Sequence, residues 1–339
     1  MTETTQPCWV GFDLGGTKML AAVYNSEFEV LARKRKKTKG HEGTDAGLER
    51  IVSIIREALK EAKIRKEDLK GIGIGCPGPL DLDRGVILDA PNLGWKNVPI
   101  TRTLEEAFGC RTVIANDVDA GVYAESRFGA ARSARTVVGV FPGTGIGGGC
   151  VYDGQIVRGK VQSCMEIGHL RVMPDGPRCG CGLRGCLEAV ASRLAISAAA
   201  AKAAYRGQAP HLQALAGSDI SQIRSGTLAE AIKAGDTVIE EIIREASRQI
   251  GIAIAGVVHL MAPDAVVLGG GLVEAMPEIF VDEVDRSANE HVMESFRHTF
   301  QVMAAELRDD ATVMGSAAWA RDVIRSGETA DELPVVIQN

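Results

Sequence analysis

A chain of 339 residues, 45% hydrophobic and 24% charged, is long enough to bury more than one core, so two domains are expected. Its formal charge of -6 argues against a nucleic-acid binder. It has no apolar run long enough to span a bilayer, and no basic start followed by an apolar stretch. The eight cysteines are too sparse for a disulfide framework. Cys8, Cys76, Cys110, Cys150 and Cys164 read as reduced, mostly buried thiols, which fits a cytoplasmic setting.

Residues 1–7 are polar and read as a frayed end. Trp9 to Leu20 predicts a strand, a turn and a second strand, with Asp13, Gly15, Gly16, Thr17 and Lys18 in the turn. Small residues there leave backbone N–H groups open to a phosphate, and Thr17 and Lys18 add a hydroxyl and a charge. A plain glycine hairpin explains the same residues; the spacing is neither that of a Walker A loop nor that of a dinucleotide fingerprint. Phe28 to Leu31 continues the sheet. The basic run Arg33 to Lys39 is either an edge strand kept soluble by charge or a surface for a phosphate chain. Leu48 to Ala62 is an amphipathic helix, and Leu69 to Cys76 a buried strand entering the turn at Pro77-Gly78-Pro79. Asn92 and Trp95 share a loop that suits a sugar or an ordinary packed turn. A helix capped by Thr101 or Thr103 runs to Phe108. Thr112 to Ala115 is a strand leading into Asn116-Asp117. A strand end ahead of a helix is where parallel α/β sheets place their chemistry; Asp119 points elsewhere, and a helix follows from about Ala120 to Phe128.

The pattern restarts with a strand at Thr136 to Val140, the glycine-dense stretch 141–149 containing Gly143, Thr144 and Gly145, and a returning strand at Cys150 to Tyr152. Two such hairpins suggest two domains of similar plan facing a phosphate chain. Leu187 to Ala204 predicts one alanine-rich helix, and 206–226 a polar, partly helical excursion. Leu228 to Ile232 and Val238 to Leu260 predict further helices. Ala265 to Leu268 is a strand opening into Gly269, Gly270 and Gly271, where a flat or charged ligand can approach closely. Phe300 to Leu307 predicts a strand, Gly315 to Arg325 the final helix, and the last residues a loose end.

Between 166 and 188 the chain reads EIGHLRVMPDGPRCGCGLRGCLE. His169, Cys179, Cys181 and Cys186 form an H-x9-C-x-C-x4-C set of the soft ligands that tetrahedral zinc prefers. Four protein ligands leave no open position, so the site is expected to be structural. Glu166 and Glu188 flank it and can accept hydrogen bonds from hydroxyls; each is otherwise a surface or helix-end carboxylate. Three glycine loops and one aspartate at a strand end together imply phosphoryl transfer. Asp117 would be the base and Asp13 the residue that influences Mg²⁺.

These residues resemble the ROK family of sugar kinases, repressors and related proteins. The resemblance runs from DLGGTK at 13–18 through PNLGW at 91–95, ND at 116–117, GTGIGGG at 143–149, EIGH at 166–169, CGCGLRGCLE at 179–188 and VVLGGG at 266–271 to GSAAWA at 315–320. It implies an α/β chain with a two-domain actin-like ATPase (ribonuclease H-like) fold and an interdomain cleft. The smaller domain would comprise 8–117 plus about 315–336, and the larger 118–314 with the zinc-binding loop 166–188. By the same resemblance Asp117 is the catalytic base, and Asn92, Asn116, Glu166, His169 and Glu188 meet the sugar. The two hairpin loops bind phosphate, and Gly269 to Gly271 belong to the adenosine site. The cofactors would be ATP, Mg²⁺ and structural Zn²⁺. The expected reaction is glucokinase-like: phosphorylation of a hexose at its 6-hydroxyl, glucose to glucose 6-phosphate first. Open beside it stand an N-acetylmannosamine or N-acetylglucosamine kinase, a non-catalytic sugar-sensing regulator, and polyphosphate as donor. Only twelve residues precede Asp13, too few for the repressors' helix-turn-helix. A homodimer or homotetramer that binds hexose and ATP, without nucleic acid or membrane, is expected. Three places depart from the pattern: the pair Cys164-Met165 where Ala-Gly is common, and Asp119 and His259 where asparagine is frequent. The first adjoins the sugar side and bears on which hexose fits.

Overall fold

The apolar runs and the two glycine hairpins fold as two five-stranded sheets in separate units. The structure is a computed structural model that describes residues 7–160 and 164–327. The frayed ends expected at 1–6 and 328–339, and the tail of the expected smaller domain at 328–336, lie outside the described residues. Described residues of the first unit fall in 7–127, 158–160 and 309–327, and those of the second in 128–157 and 164–308.

The first unit begins with β1 (Cys8–Leu14), β2 (Lys18–Tyr24) and β3 (Val30–Lys37), followed by α1 (Thr44–Glu61). Strand β4 (Leu69–Cys76) returns to the sheet. A small antiparallel sheet of β5 (Leu80–Asp81), β6 (Val86–Ala90) and β7 (Trp95–Val98), absent from the sequence reading, precedes α2 (Ile100–Phe108). Strand β8 (Thr112–Asn116) then leads directly into α3 (Asp117–Arg127). The main sheet has the order β3-β2-β1-β4-β8. Its first three strands are antiparallel to their neighbours, while β1, β4 and β8 run parallel. The basic run is thus an edge strand, and Lys34 and Lys36 pair with Glu61 and Glu57. Charges on an edge discourage pairing with another chain.

The second unit repeats the plan. Strands β9 (Thr136–Pro142), β10 (Ile146–Tyr152) and β11 (Gln155–Ile156) form the antiparallel part. After the cysteine loop come α4 (Leu187–Ala191), α5 (Arg193–Tyr205), α6 (Pro210–Ala216), α7 (Ser225–Ala234) and α8 (Thr237–Met261). Strand β12 (Ala265–Leu268), α9 (Gly271–Ala275), α10 (Pro277–His291) and β13 (Gln301–Ala304) complete it. The order β11-β10-β9-β12-β13, with β9, β12 and β13 parallel, matches the first sheet strand for strand.

The single helix expected over 187–204 is two helices. Ser192 leaves helical geometry, and its hydroxyl caps α5 by accepting from the amide of Ala195 at 3.3 Å. Neither Thr101 nor Thr103 caps α2; Pro99 takes that position.

The chain returns to the first unit with α11 (Ala311–Ser326), which lies on β1 and β4. Its approach is closest at Gly11 and Gly73, where an added Cβ would collide with the carbonyls of Val313 and Ser316. Each unit has its own core. In the first, Ile51, Ile54 and Ile55 of α1 join Phe12, Ile72 and Ile74; in the second, Ile243, Ile250 and Ile254 of α8 join Val138, Val266 and Phe280. Among the described residues no helix is long and apolar enough to cross a membrane.

Candidate functional site

In the second unit, Glu166 sits at the centre of an inverse γ-turn, with φ -69° and ψ 53°, closed by Ile167 N donating to Met165 O at 2.6 Å. One turn of 3₁₀ helix, Ile167–His169, presents the imidazole. The chain then folds back on itself through backbone bridges Arg171–Cys186 and Arg178–Arg184. Positive φ at Gly182 and Gly185 makes that reversal affordable. The result brings the ligand atoms of His169, Cys179, Cys181 and Cys186 within 4.8 Å of one another. His169 Nδ1 lies 3.7 Å from Cys179 Sγ, and Cys181 Sγ lies 3.7 Å from Cys186 Sγ.

Glu188, in the first turn of α4, joins this loop to the second glycine hairpin. Its Oε2 accepts from Ile146 N at 3.1 Å, and Oε1 lies 3.5 Å from Cys179 Sγ. A Cβ at Gly145 would collide with the same carboxylate. The hairpin turn itself is short: Gly143 N donates to Gly145 O at 2.8 Å. Gly147 to Gly149 lie within β10, and a Cβ at Gly148 would meet Met165 O and Ile167. The open loop is therefore 143–145; the glycines after it are strand residues, and Gly148 allows close packing. Arg193, which the sequence reading passed over, donates its backbone N–H to Gly143 O at 2.9 Å and its guanidinium to Thr144 Oγ1 at 2.8 Å. Gly269 N donates to Val140 O at 3.1 Å, Gly270 has φ 88°, and Gly271 opens the five-residue α9.

In the first unit, Asp13 lies near the end of β1, and Gly15 and Gly16 make the turn into β2. Gly15 N donates to Lys18 O at 3.1 Å, while Thr38 braces the turn by donating its hydroxyl to Gly15 O at 2.6 Å. Gly16 and Thr17 are exposed. Lys18 is already matched: its Nζ reaches both carboxylate oxygens of Asp309 at 2.8 Å, and Arg35 reaches Asp309 Oδ2 at 3.0 Å. Asp309 carried no signal in the sequence beyond standing before the last helix. Asn92 is exposed, and its Cβ would be 3.4 Å from a Cβ placed on Gly16. Trp95 is not available to a sugar. It is 1% exposed, and its ring occupies the space a side chain at Gly47 would need.

Asp117 stands where β8 becomes α3. Asn116 Oδ1 accepts from Val118 N at 2.9 Å and Asp119 N at 3.3 Å, which caps the helix and leaves the Nδ2 amide as the group to donate outward. Asp117 Oδ1 also accepts from Val118 N at 2.9 Å. Burial pushes the Asp117 carboxyl up to about 6, against the pull of that amide. Asp13 is pushed up to about 7, by burial first and then by the charge of Asp117, with Lys18 opposing. A carboxylate of raised proton affinity at a strand end is suited to take a proton from an alcohol.

The sequence profile of the ROK family matches residues 9–323. The glucokinase of Thermotoga maritima is 33% identical over 316 residues, covering 93% of this chain and 98% of that protein. Among solved structures, a ROK hexokinase from Thermus thermophilus is 34% identical with a TM-score of 0.79, covering 94% of this chain and all of that one. A ROK family glucokinase from Streptomyces griseus, in complex with glucose and AMPPNP, is 31% identical with a TM-score of 0.81, covering 93% of this chain and 99% of the other. Two α/β lobes of matching strand order and a profile match over most of the length lead to one assignment: the chain belongs to the ROK family.

Proposed function

We infer that the chain is an ATP-dependent hexose kinase and that its hexose is glucose, converted to glucose 6-phosphate. The observation that carries the chemistry is Asp117, a carboxylate at the end of a parallel strand whose proton affinity is raised by burial. Relatives named glucokinase and a related structure holding glucose and AMPPNP support the substrates.

In this reading the sugar's 6-hydroxyl gives its proton to Asp117 as its oxygen attacks the γ-phosphorus of ATP, and the bond to the bridging oxygen of ADP breaks. Asn92, Asn116, Glu166, His169 and Glu188 take the other hydroxyls. The backbone amides of Gly15, Gly16 and Thr17, and of Gly143, Thr144 and Gly145, serve the phosphates, and Gly269 to Gly271 the adenosine. Mg²⁺ would neutralise charge on the phosphates, and Asp13 is the residue placed to hold it directly or through water. Lys18 contributes less than a free lysine would, because Asp309 already balances it.

Zinc fits the cysteine loop. Bond lengths of about 2.3 Å to sulfur and about 2.0 Å to nitrogen put neighbouring tetrahedral ligands about 3.5–3.8 Å apart. Two ligand pairs stand at 3.7 Å, and a small contraction of the widest separation, 4.8 Å, completes the set. Zinc would hold the fold-back that carries Glu166, His169 and Glu188, so its task is structural. A cytoplasmic setting, which supplies ATP and keeps cysteine ligands reduced, belongs to the same reading, as does assembly into a homodimer or homotetramer.

The test is a coupled assay with ATP against glucose, mannose, N-acetylglucosamine and N-acetylmannosamine, with identification of the phosphosugar. Glucose should show the highest kcat/KM. A preference for an N-acetylhexosamine would replace the substrate. Sugar binding with no phosphosugar from ATP or polyphosphate would replace the enzyme by a sensor.

A further inference from the structure

The loop at 143–145 has glycine on both sides of an exposed threonine, and the bond from Gly143 N to Gly145 O closes its backbone but does not direct the Thr144 side chain. Its restraint comes from Arg193, at the start of α5. At the first position of a helix the backbone N–H has no intrahelical partner, and here it is given to Gly143 O. The guanidinium then reaches Thr144 Oγ1. A threonine hydroxyl that accepts from a cation keeps its own proton to donate, and the donor is strengthened by the charge on its oxygen. Ser192, by capping α5, fixes the point from which Arg193 extends.

We propose that Arg193 is a positioning residue for the donor: it orders the loop Gly143–Gly145 and polarises the Thr144 hydroxyl, which donates to a phosphate oxygen of the nucleotide. The proposal rests on the reading of this loop as a donor-phosphate loop. It also ties the segment that follows the metal ligand Cys186 to donor binding, since Glu188 and Arg193 hold the same hairpin from α4 and α5.

The experiment is a double-mutant cycle of Arg193→Met and Thr144→Val, with Arg193→Lys as the conservative variant and Gly143→Ala as a check on the loop. KM for ATP and for hexose are measured, with the dissociation constant of a non-hydrolysable ATP analogue and a melting curve for each variant. Each single substitution should raise the ATP KM and the analogue's dissociation constant about five- to tenfold, the scale of one charge-assisted hydrogen bond. The hexose KM should stay within about twofold on the same argument. The double variant should be no worse than the worse single one, and Arg193→Lys should recover part of the loss. Unchanged ATP parameters in Arg193→Met, beside a raised ATP KM in Gly143→Ala, would overturn the role of Arg193 alone. So would effects that multiply in the double variant, because Arg193 would then act apart from Thr144. If Gly143→Ala, whose added Cβ meets nothing closer than Gly145 O at 3.9 Å, shifts the hexose KM and spares that for ATP, the donor reading of the loop falls and the proposal with it.

Discussion

The two glycine hairpins have the same topology and opposite kinds of support. Each joins the first two strands of a five-stranded sheet, and each sheet continues with two parallel strands. The first loop is braced by Thr38, and its lysine is neutralised by Asp309 in an ion pair shared with Arg35. The second has no charged residue of its own and is held from outside by Glu188 and Arg193, on helices that follow the cysteine loop. A repeated backbone plan therefore does not fix the electrostatics of a loop. That depends on which neighbours the rest of the unit brings up to it.

The units also divide the proposed chemistry, the first carrying Asp117, the proposed base, and the second the candidate metal ligands. The largest effect is expected in the first. Asp117→Asn should lower kcat about 10²–10⁴-fold while sugar binding persists. Near-normal turnover in that variant would remove the base. The same substitution has a second, opposite consequence. The folded-state pKa of Asp117, about 6, lies above its ordinary 3.8, so the folded chain binds the extra proton between those values. This group's stabilising contribution is present below the lower value and lost as pH rises through the upper one. Asp117→Asn should therefore melt higher than the parent at about pH 8, by up to about 3 kcal/mol, and match it near about pH 4. In the parent, kcat should fall about tenfold per unit below about pH 6, as the base takes up its proton.

The second unit should respond to metal. Cys181→Ser should lose about one metal ion per chain, melt about 5–10 °C lower and raise the hexose KM, as metal analysis and calorimetry would record. A variant that keeps parental stability after losing its metal would remove the structural role. The smallest effect separates the two loops. Lys18→Met should raise the ATP KM less than about threefold, because its partly exposed charge is already spent on Asp309. A loss larger than that of Arg193→Met would reverse the contrast between a loop whose own cation is neutralised by a neighbour and an uncharged loop held by Arg193.

Much of this arrangement was legible before the structure. Strand β4 at Leu69–Cys76 and the restart of the pattern after Thr136 follow from apolar runs bounded by turn residues. The candidate metal ligands were legible as a set because soft ligands within one short loop leave few alternatives, and the structure brings their ligand atoms within 4.8 Å of one another. Other readings were left open or failed, for definite reasons. The loop of Asn92 and Trp95 suits a sugar or an ordinary packed turn by sequence, and for Trp95 it is packing, because Gly47 of α1 opens a space that its ring fills. The glycines at 147–149 looked like loop residues and are strand residues, with Gly148 pressed against Met165 and Ile167. The helix expected over 187–204 breaks at Ser192, whose capping hydroxyl competes with helix continuation.

The local chemistry is written in the order of residues: a strand-end acid, two glycine turns, and a histidine with three cysteines in one short stretch. Those features depend on residues close along the chain, where spacing limits what the backbone can do. How the groups are committed is set by the packing of distant segments. Lys18 meets Asp309 from 291 positions away, and Arg193 meets Thr144 from 49 away. Such pairings come from the order of strands in a sheet and the seating of helices upon it, and periodicity within a segment carries no record of either.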